Sequence, residues 1–112
     1  MGEAWSYLRL PSELSDGQRW RLKLARALWT AQASDAPAII ACDEFAAVLD
    51  RVTAMVASRC LRRVIDAKPT LSAVVATAHD DLGPALRPDV VAWCDFGRVE
   101  WRGAKARMED GE

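Results

Sequence analysis

The run Ile39-Ile40-Ala41-Cys42-Asp43-Glu44-Phe45 constrains the fold more than any other stretch, because an apolar segment stops abruptly at two adjacent carboxylates. Bounded by Pro37 on one side and charge on the other, it reads as a buried parallel strand with Asp43 and Glu44 at its carboxyl end. Open α/β sheets place their ligands at that edge. Two neighbouring acids there suit metal-assisted phosphate chemistry. One can hold Mg²⁺ through water while the other polarises an attacking water. A strand end that simply meets solvent would look the same, so the surrounding sequence has to decide.

Upstream, Leu14-Ser15-Asp16-Gly17-Gln18 opens a helix. Ser15 is a good N-cap, Gln18 completes a capping box, and Trp20, Leu24, Ala27, Leu28 and Ala31 follow at helical spacing, which predicts a helix over 16–32. Such a start leaves backbone N–H groups and the positive end of the helix dipole facing outward beside a hydroxyl and a glycine, an arrangement able to take an anion such as phosphate. Before it, Trp5, Tyr7, Leu8 and Leu10 read as an extended lead-in packed by its aromatics.

Downstream, Phe45 to Asp50 reads as a turn, and Val52, Met55, Val56, Cys60, Val64 and Ile65 mark the apolar face of a second helix that closes before Lys68-Pro69. Leu71 to Thr77 is a second buried strand, and it delivers the single histidine, His79, to the same sheet edge if the two strands are parallel. A helical turn is expected over 82–86. Val90 to Cys94 and Val99 to Trp101 then form a β-hairpin, with Gly97 supplying the positive φ of its turn. The stretch 103–112 is charged and aperiodic, and is expected to fray.

Composition narrows the classes. At 112 residues the chain holds one domain at most. A domain of that size buries roughly 65% of its unfolded surface. The 15 basic and 16 acidic side chains nearly cancel, so overall charge gives no call for nucleic acid or an anionic membrane. Arg19, Lys23, Arg26, Arg59, Arg62 and Arg63 read as solvated helix faces before they read as a nucleic-acid surface. No apolar run approaches the ~20 residues that span a bilayer, and Met1-Gly2-Glu3 is no signal peptide, so a soluble, cytoplasmic protein is expected. Cys42, Cys60 and Cys94 form no C-x-x-C pair; buried free thiols are expected rather than a disulfide framework or zinc site.

Taken together and in order, these motifs resemble the carboxyl-terminal half of an ABC-type ATPase nucleotide-binding domain. Leu14, Ser15, Gly17 and Gln18 match its signature pentapeptide, Ile39 to Glu44 its Walker B strand, Ala47-Val48-Leu49-Asp50 its D-loop and His79 its switch histidine. Asp89 to Val99 is similar to its closing hairpin. The departures are Asp16, where glycine is commoner, and Phe45-Ala46-Ala47, where transporters usually carry Pro-Thr-Ser. The pattern around Asp43 to Arg51 and the His79-Asp80-Asp81-Leu82 stretch look closer to soluble, non-transporter members.

The resemblance implies a partial P-loop NTPase-like α/β fold, with parallel strands, flanking helices and a carboxyl-terminal hairpin, lacking the Walker A strand. It also implies ATP and Mg²⁺ in a completed site. Asp43 would organise the metal through water, and Glu44 and His79 would be catalytic, as general base and γ-phosphate contact. Ser15, Gly17, Gln18 and Asp50 would bind nucleotide, the signature residues on the opposite subunit of a head-to-tail dimer. No G-x-x-x-x-G-K-[ST] loop lies within these 112 residues, so the chain by itself is expected to bind ATP poorly and hydrolyse it negligibly. A Walker A-bearing partner or the family's amino-terminal half would complete it. Without that half, an unpaired strand edge is expected, inviting self-association. A non-catalytic interaction module of the same fold stays open as the alternative.

Overall fold

A computed structural model describes residues 15–103. The expected lead-in, Leu14 and the expected frayed tail lie outside the described residues. The elements run α1 (Asp16–Ala33), β1 (Ala38–Cys42), α2 (Arg51–Ala67), β2 (Leu71–Val75), α3 (Gly83–Leu86), β3 (Val90–Asp95) and β4 (Arg98–Gly103). This is a mixed α/β architecture in which β1 and β2 pair in parallel, Ala38 opposite Leu71 through Cys42 opposite Val75, and β3 and β4 form an antiparallel hairpin.

The helices form where the caps place them. Ser15 and Gln18 complete a reciprocal capping box, Ser15 Oγ accepting from Gln18 N–H at 3.2 Å and Gln18 Oε1 from Ser15 N–H at 3.1 Å. Leu24, Leu28 and Ala31 are the buried side chains of α1 and Trp20 packs partly buried against the same core, while Ala27, expected on that face, is exposed. Asp50 caps α2 by accepting from Thr53 N–H at 2.7 Å. The buried face of α2 agrees only in part with the expected one, Met55, Val64 and Ile65 packing against the core as expected. Ala54, Ala57, Ser58 and Leu61 face inward, whereas Val52 and Val56 are 73% and 49% exposed. Small side chains let α2 lie close against its neighbours, and the Ser58 hydroxyl is satisfied by donating to Ala54 O at 2.8 Å.

The core gathers Leu24 and Leu28 of α1, Ile40, Phe45, Leu49, Leu61, Leu71 and Leu82. It covers only one face of the parallel pair. Ile39 and Val74, expected inside buried strands, are 71% and 65% exposed, because no described element packs on that side. The hairpin also stands off the core. Its turn puts both Phe96 (φ 48°) and Gly97 (φ 78°) in the left-handed region, as a two-residue type I′ connection requires, so the strain falls on a phenylalanine as well as the expected glycine. The face carrying Val90, Ala92, Cys94, Val99 and Trp101 is bare, and Cys94 is accordingly an exposed thiol rather than a buried one. On the other face the Arg102 guanidinium lies 5.0 Å from the Trp93 ring centre. Cys42 and Cys60 are half-buried and free, and burial pushes the Cys42 thiol up from its ordinary pKa.

One long-range tie has no signature in the sequence. Lys68, the C-cap of α2, sends its ammonium to the end of α1, donating to Ala31 O at 3.2 Å, to Gln32 O at 2.6 Å and to Ser34 O. A cation there satisfies carbonyls that the helix leaves unpaired and complements its dipole. Lys68→Met keeps the aliphatic stem and removes the charge, and should cost about 1–2 kcal/mol in a urea unfolding titration. An unchanged midpoint would mean that water serves those carbonyls equally well.

Candidate functional site

The tip of the parallel pair is assembled by backbone bonds that continue past the strands. Ala76 N–H donates to Cys42 O and Phe45 N–H donates to Ala76 O, both at 2.8 Å. Asp43 and Glu44 are thereby held out at the edge, and both are exposed. Glu44 N–H donates to Asp43 Oδ1 at 3.0 Å. Glu44 and Ala46 adopt left-handed backbone (φ 50° and 61°), a conformation that costs a non-glycine residue on the order of 1 kcal/mol or more. Phe45 and Ala46, both fully buried, hold the chain in it. Trp20 of α1 packs edge-on against Phe45, ring centres 5.1 Å apart at 79°.

The β2 end meets this loop through Thr77 and His79. Thr77 Oγ1 donates to Phe45 O at 2.9 Å and accepts from His79 N–H at 3.1 Å, and His79 Nε2 lies 3.0 Å from Ala46 O. A carbonyl only accepts, so Nε2 carries the proton in this contact and Nδ1 is the nitrogen left for another partner. The expected meeting of Asp43, Glu44 and His79 at one sheet edge is therefore what the parallel register produces.

The first turn of α1 rests on the same loop. A Cβ placed on Gly17 would lie 3.4 Å from Leu49 Cδ2 and 3.7 Å from Val48 O, ordinary van der Waals contact, so the loop packs next to Gly17 without requiring a glycine there. Asp50 sits at the end of that loop. Hydrogen bonding from the Thr53 backbone and then its hydroxyl, with the Arg21 guanidinium adding to it, holds its carboxyl below the usual carboxylate range. Ser15 and Gln18 are committed to each other in the capping box and Asp50 to its helix. Thr77 and Arg21 are the members that the sequence reading missed. A threonine closing a strand two residues before a histidine is a weak turn signal, and nothing local marks Arg21.

The donor set at the tip, two adjacent exposed carboxylates, fits Mg²⁺ held mainly by water and phosphate oxygens better than an all-protein cage. Among the described residues no larger cluster of metal-ligating side chains occurs. Two shallow concavities, one on the hairpin around Trp93 and Phe96 and one beside Arg59, Arg63 and Arg87, include none of the expected site residues. No helix among the described residues is long and apolar enough to cross a membrane.

Fold and edge define a class first: an α/β unit with acids and a histidine at the carboxyl ends of parallel strands. Among known proteins, the chain is 35% identical over 102 residues to the sulfate/thiosulfate import ATP-binding protein of Caulobacter vibrioides, and 33% identical over 106 residues to a second such protein of Shewanella oneidensis. These matches take in 91% and 95% of the chain but 28% of each relative, so the chain spans a little over a quarter of their length. Both are named as import proteins, whereas the pattern around Asp43 to Arg51 and His79-Asp80-Asp81-Leu82 looked closer to non-transporter members. No family model matches the chain.

Two outcomes test this geometry. Thr77→Val removes the hydroxyl that links Phe45 O to His79 N–H, and should lower unfolding stability by about 1 kcal/mol while releasing the His79 ring signals in NMR toward solvent values. Unmoved ring signals would show that Thr77 does not position the ring. Asp50 stabilises the folded state above its unfolded pKa of about 3.9, and that contribution is lost as pH falls through its lower folded value. Asn caps a helix comparably but does not titrate. Wild type should therefore exceed Asp50→Asn in stability at neutral pH, the gap closing below about pH 4; a gap independent of pH would contradict the pairing.

Proposed function

We propose that this chain is the signature, Walker B and switch-histidine portion of an ABC-type ATPase nucleotide-binding domain, working on Mg-ATP once a Walker A-bearing segment completes it. The observation that carries the reading is the bond between His79 and Ala46 O across the parallel pair, which joins the histidine to the loop following Asp43 and Glu44. The similarity to two import ATP-binding proteins over nearly the whole chain supports it independently.

In the completed site the work of these residues divides by chemistry. Asp43 holds the water shell of the metal. When bound, Mg²⁺ neutralises charge on the β- and γ-phosphate oxygens. Glu44, exposed and without a described partner for its carboxylate, takes a proton from the attacking water. His79 contributes its second ring nitrogen to the γ-phosphate. The α1 start, with Ser15, Gly17 and Gln18, meets nucleotide held by an opposing subunit, and Asp50 fixes the loop between the two regions.

The bare apolar surfaces support a place for the partner. Ile39 and Val74 on the parallel pair, with Val90, Val99 and Trp101 on the hairpin, are the surface that a Walker A-bearing segment covers, and through which copies of this chain self-associate without it. The same surfaces favour the second reading, an interaction module without catalysis. Co-expression with the Walker A-bearing amino-terminal portion of the Caulobacter relative separates the two. ATP hydrolysis by the assembled pair should fall by about 10²–10⁴-fold on Glu44→Gln. Assembly with no hydrolysis, or hydrolysis indifferent to that change, would favour the module.

A further inference from the structure

Residues at alternate positions after β2, Thr77, His79 and Asp81, each reach across to the chain that follows β1. Thr77 Oγ1 donates to Phe45 O at 2.9 Å, His79 Nε2 lies 3.0 Å from Ala46 O, and Asp81 Oδ2 accepts from Arg51 Nε at 2.8 Å. The bonds of Thr77 and His79 belong to the candidate site. The ion pair of Asp81 lies at the far end of the same series and has been given no part in it.

Arg51 is the first residue of α2, directly after the cap Asp50, and no acid stands in that first turn. A cation there is opposed by the helix dipole, which the Asp81 carboxylate offsets. The Arg51 side chain is 79% exposed and that of Asp81 33%, and neither has another partner among the described residues. Exposed ion pairs add little to global stability, so the placement of this one matters more than its strength. Asp81 stands two residues beyond His79, and the next residue, Leu82, is 1% exposed in the core. Burial of Leu82 anchors that end of the loop, but apolar contact is non-directional. A guanidinium–carboxylate bond adds the direction.

We propose that Arg51 and Asp81 are positioning residues, whose bond holds the His79 loop against the start of α2 and so keeps Nε2 on Ala46 O, leaving Nδ1 for phosphate. The part toward phosphate rests on the proposed ATPase function, whereas the hold on the ring stands without it.

The test is NMR of the His79 ring nitrogens in the full chain, comparing wild type, Arg51→Gln, Asp81→Asn and the double variant. Each single change should raise the population of rings off Ala46 O by about two- to fivefold, the scale of an exposed ion pair, read as shifts moving toward those of free imidazole. The double variant should do no more than either single one, and molar salt should bring the wild type toward the variants. Amide exchange at the end of α1 beside Lys68 should stay unchanged, which separates a local hold from general loosening. In the pair assembled with the Walker A-bearing portion, the same variants should lower kcat by a similar factor at unchanged KM. Ring signals indifferent to both substitutions would overturn the proposal, and so would hydrolysis that proceeds in the assembled pair unaffected by them. Ring signals that respond although no assembly hydrolyses ATP would sustain the hold on the ring and count against the ATPase function instead.

Discussion

The structure depends on the complete burial of Phe45. Its N–H extends the parallel ladder to Ala76, its carbonyl receives Thr77, and its ring meets Trp20 of α1. Burying a phenylalanine side chain gains on the order of 2–3 kcal/mol, enough to offset the left-handed backbone at Glu44 and Ala46 on either side of it. Because Phe45 is drawn inward, the acids before it are turned out, and the carbonyl of the next residue is set within reach of His79. Packing thus positions the polar residues, which make few bonds of their own. At two of the three positions where the transporters usually carry Pro-Thr-Ser, Phe45 and Ala46, the chain has core side chains, while Ala47 is exposed.

A second constraint runs the other way. The core closes over only one face of the β1–β2 pair, and the hairpin contributes nothing to the main cluster of buried side chains. Apolar strands that end a fold this way are ordinarily covered. The bare face that carries Ile39 and Val74 belongs to the same strand pair whose carboxyl ends lead to Asp43, Glu44 and His79. On the proposed function, stability and activity are linked, since the segment proposed to supply the phosphate cradle would also supply the buried area.

Much of this was legible in the sequence because its signals are local. The capping box at Ser15 and Gln18, the apolar runs before Asp43 and His79, and the turn at Gly97 each specify an element within a few residues, and the order of strand, helix and strand implies parallel pairing. What escaped depends on three-dimensional context. The inward face of α2 goes to Ala54, Ala57 and Ser58 because small residues allow close approach, an outcome that a count of large apolar positions misses. Glu44, Ala46 and Phe96 take positive φ with no glycine to announce it. Strands read as buried because they are apolar are half bare, since periodicity says which face is apolar and not whether anything lies on it. Lys68 and Thr77 act across 34–37 and 32 positions of sequence, beyond any local pattern.

The central claim is that the chain carries the hydrolytic edge of a nucleotide site without the cradle that holds the phosphates. It is tested most directly by titrating the purified chain with Mg-ATP, followed by tryptophan fluorescence and by calorimetry at matched concentrations. Absence of saturable binding up to millimolar ATP is the result expected of an edge without a backbone cradle. Saturable micromolar binding would contradict it, because a phosphate site would then exist within these residues without the G-x-x-x-x-G-K-[ST] loop.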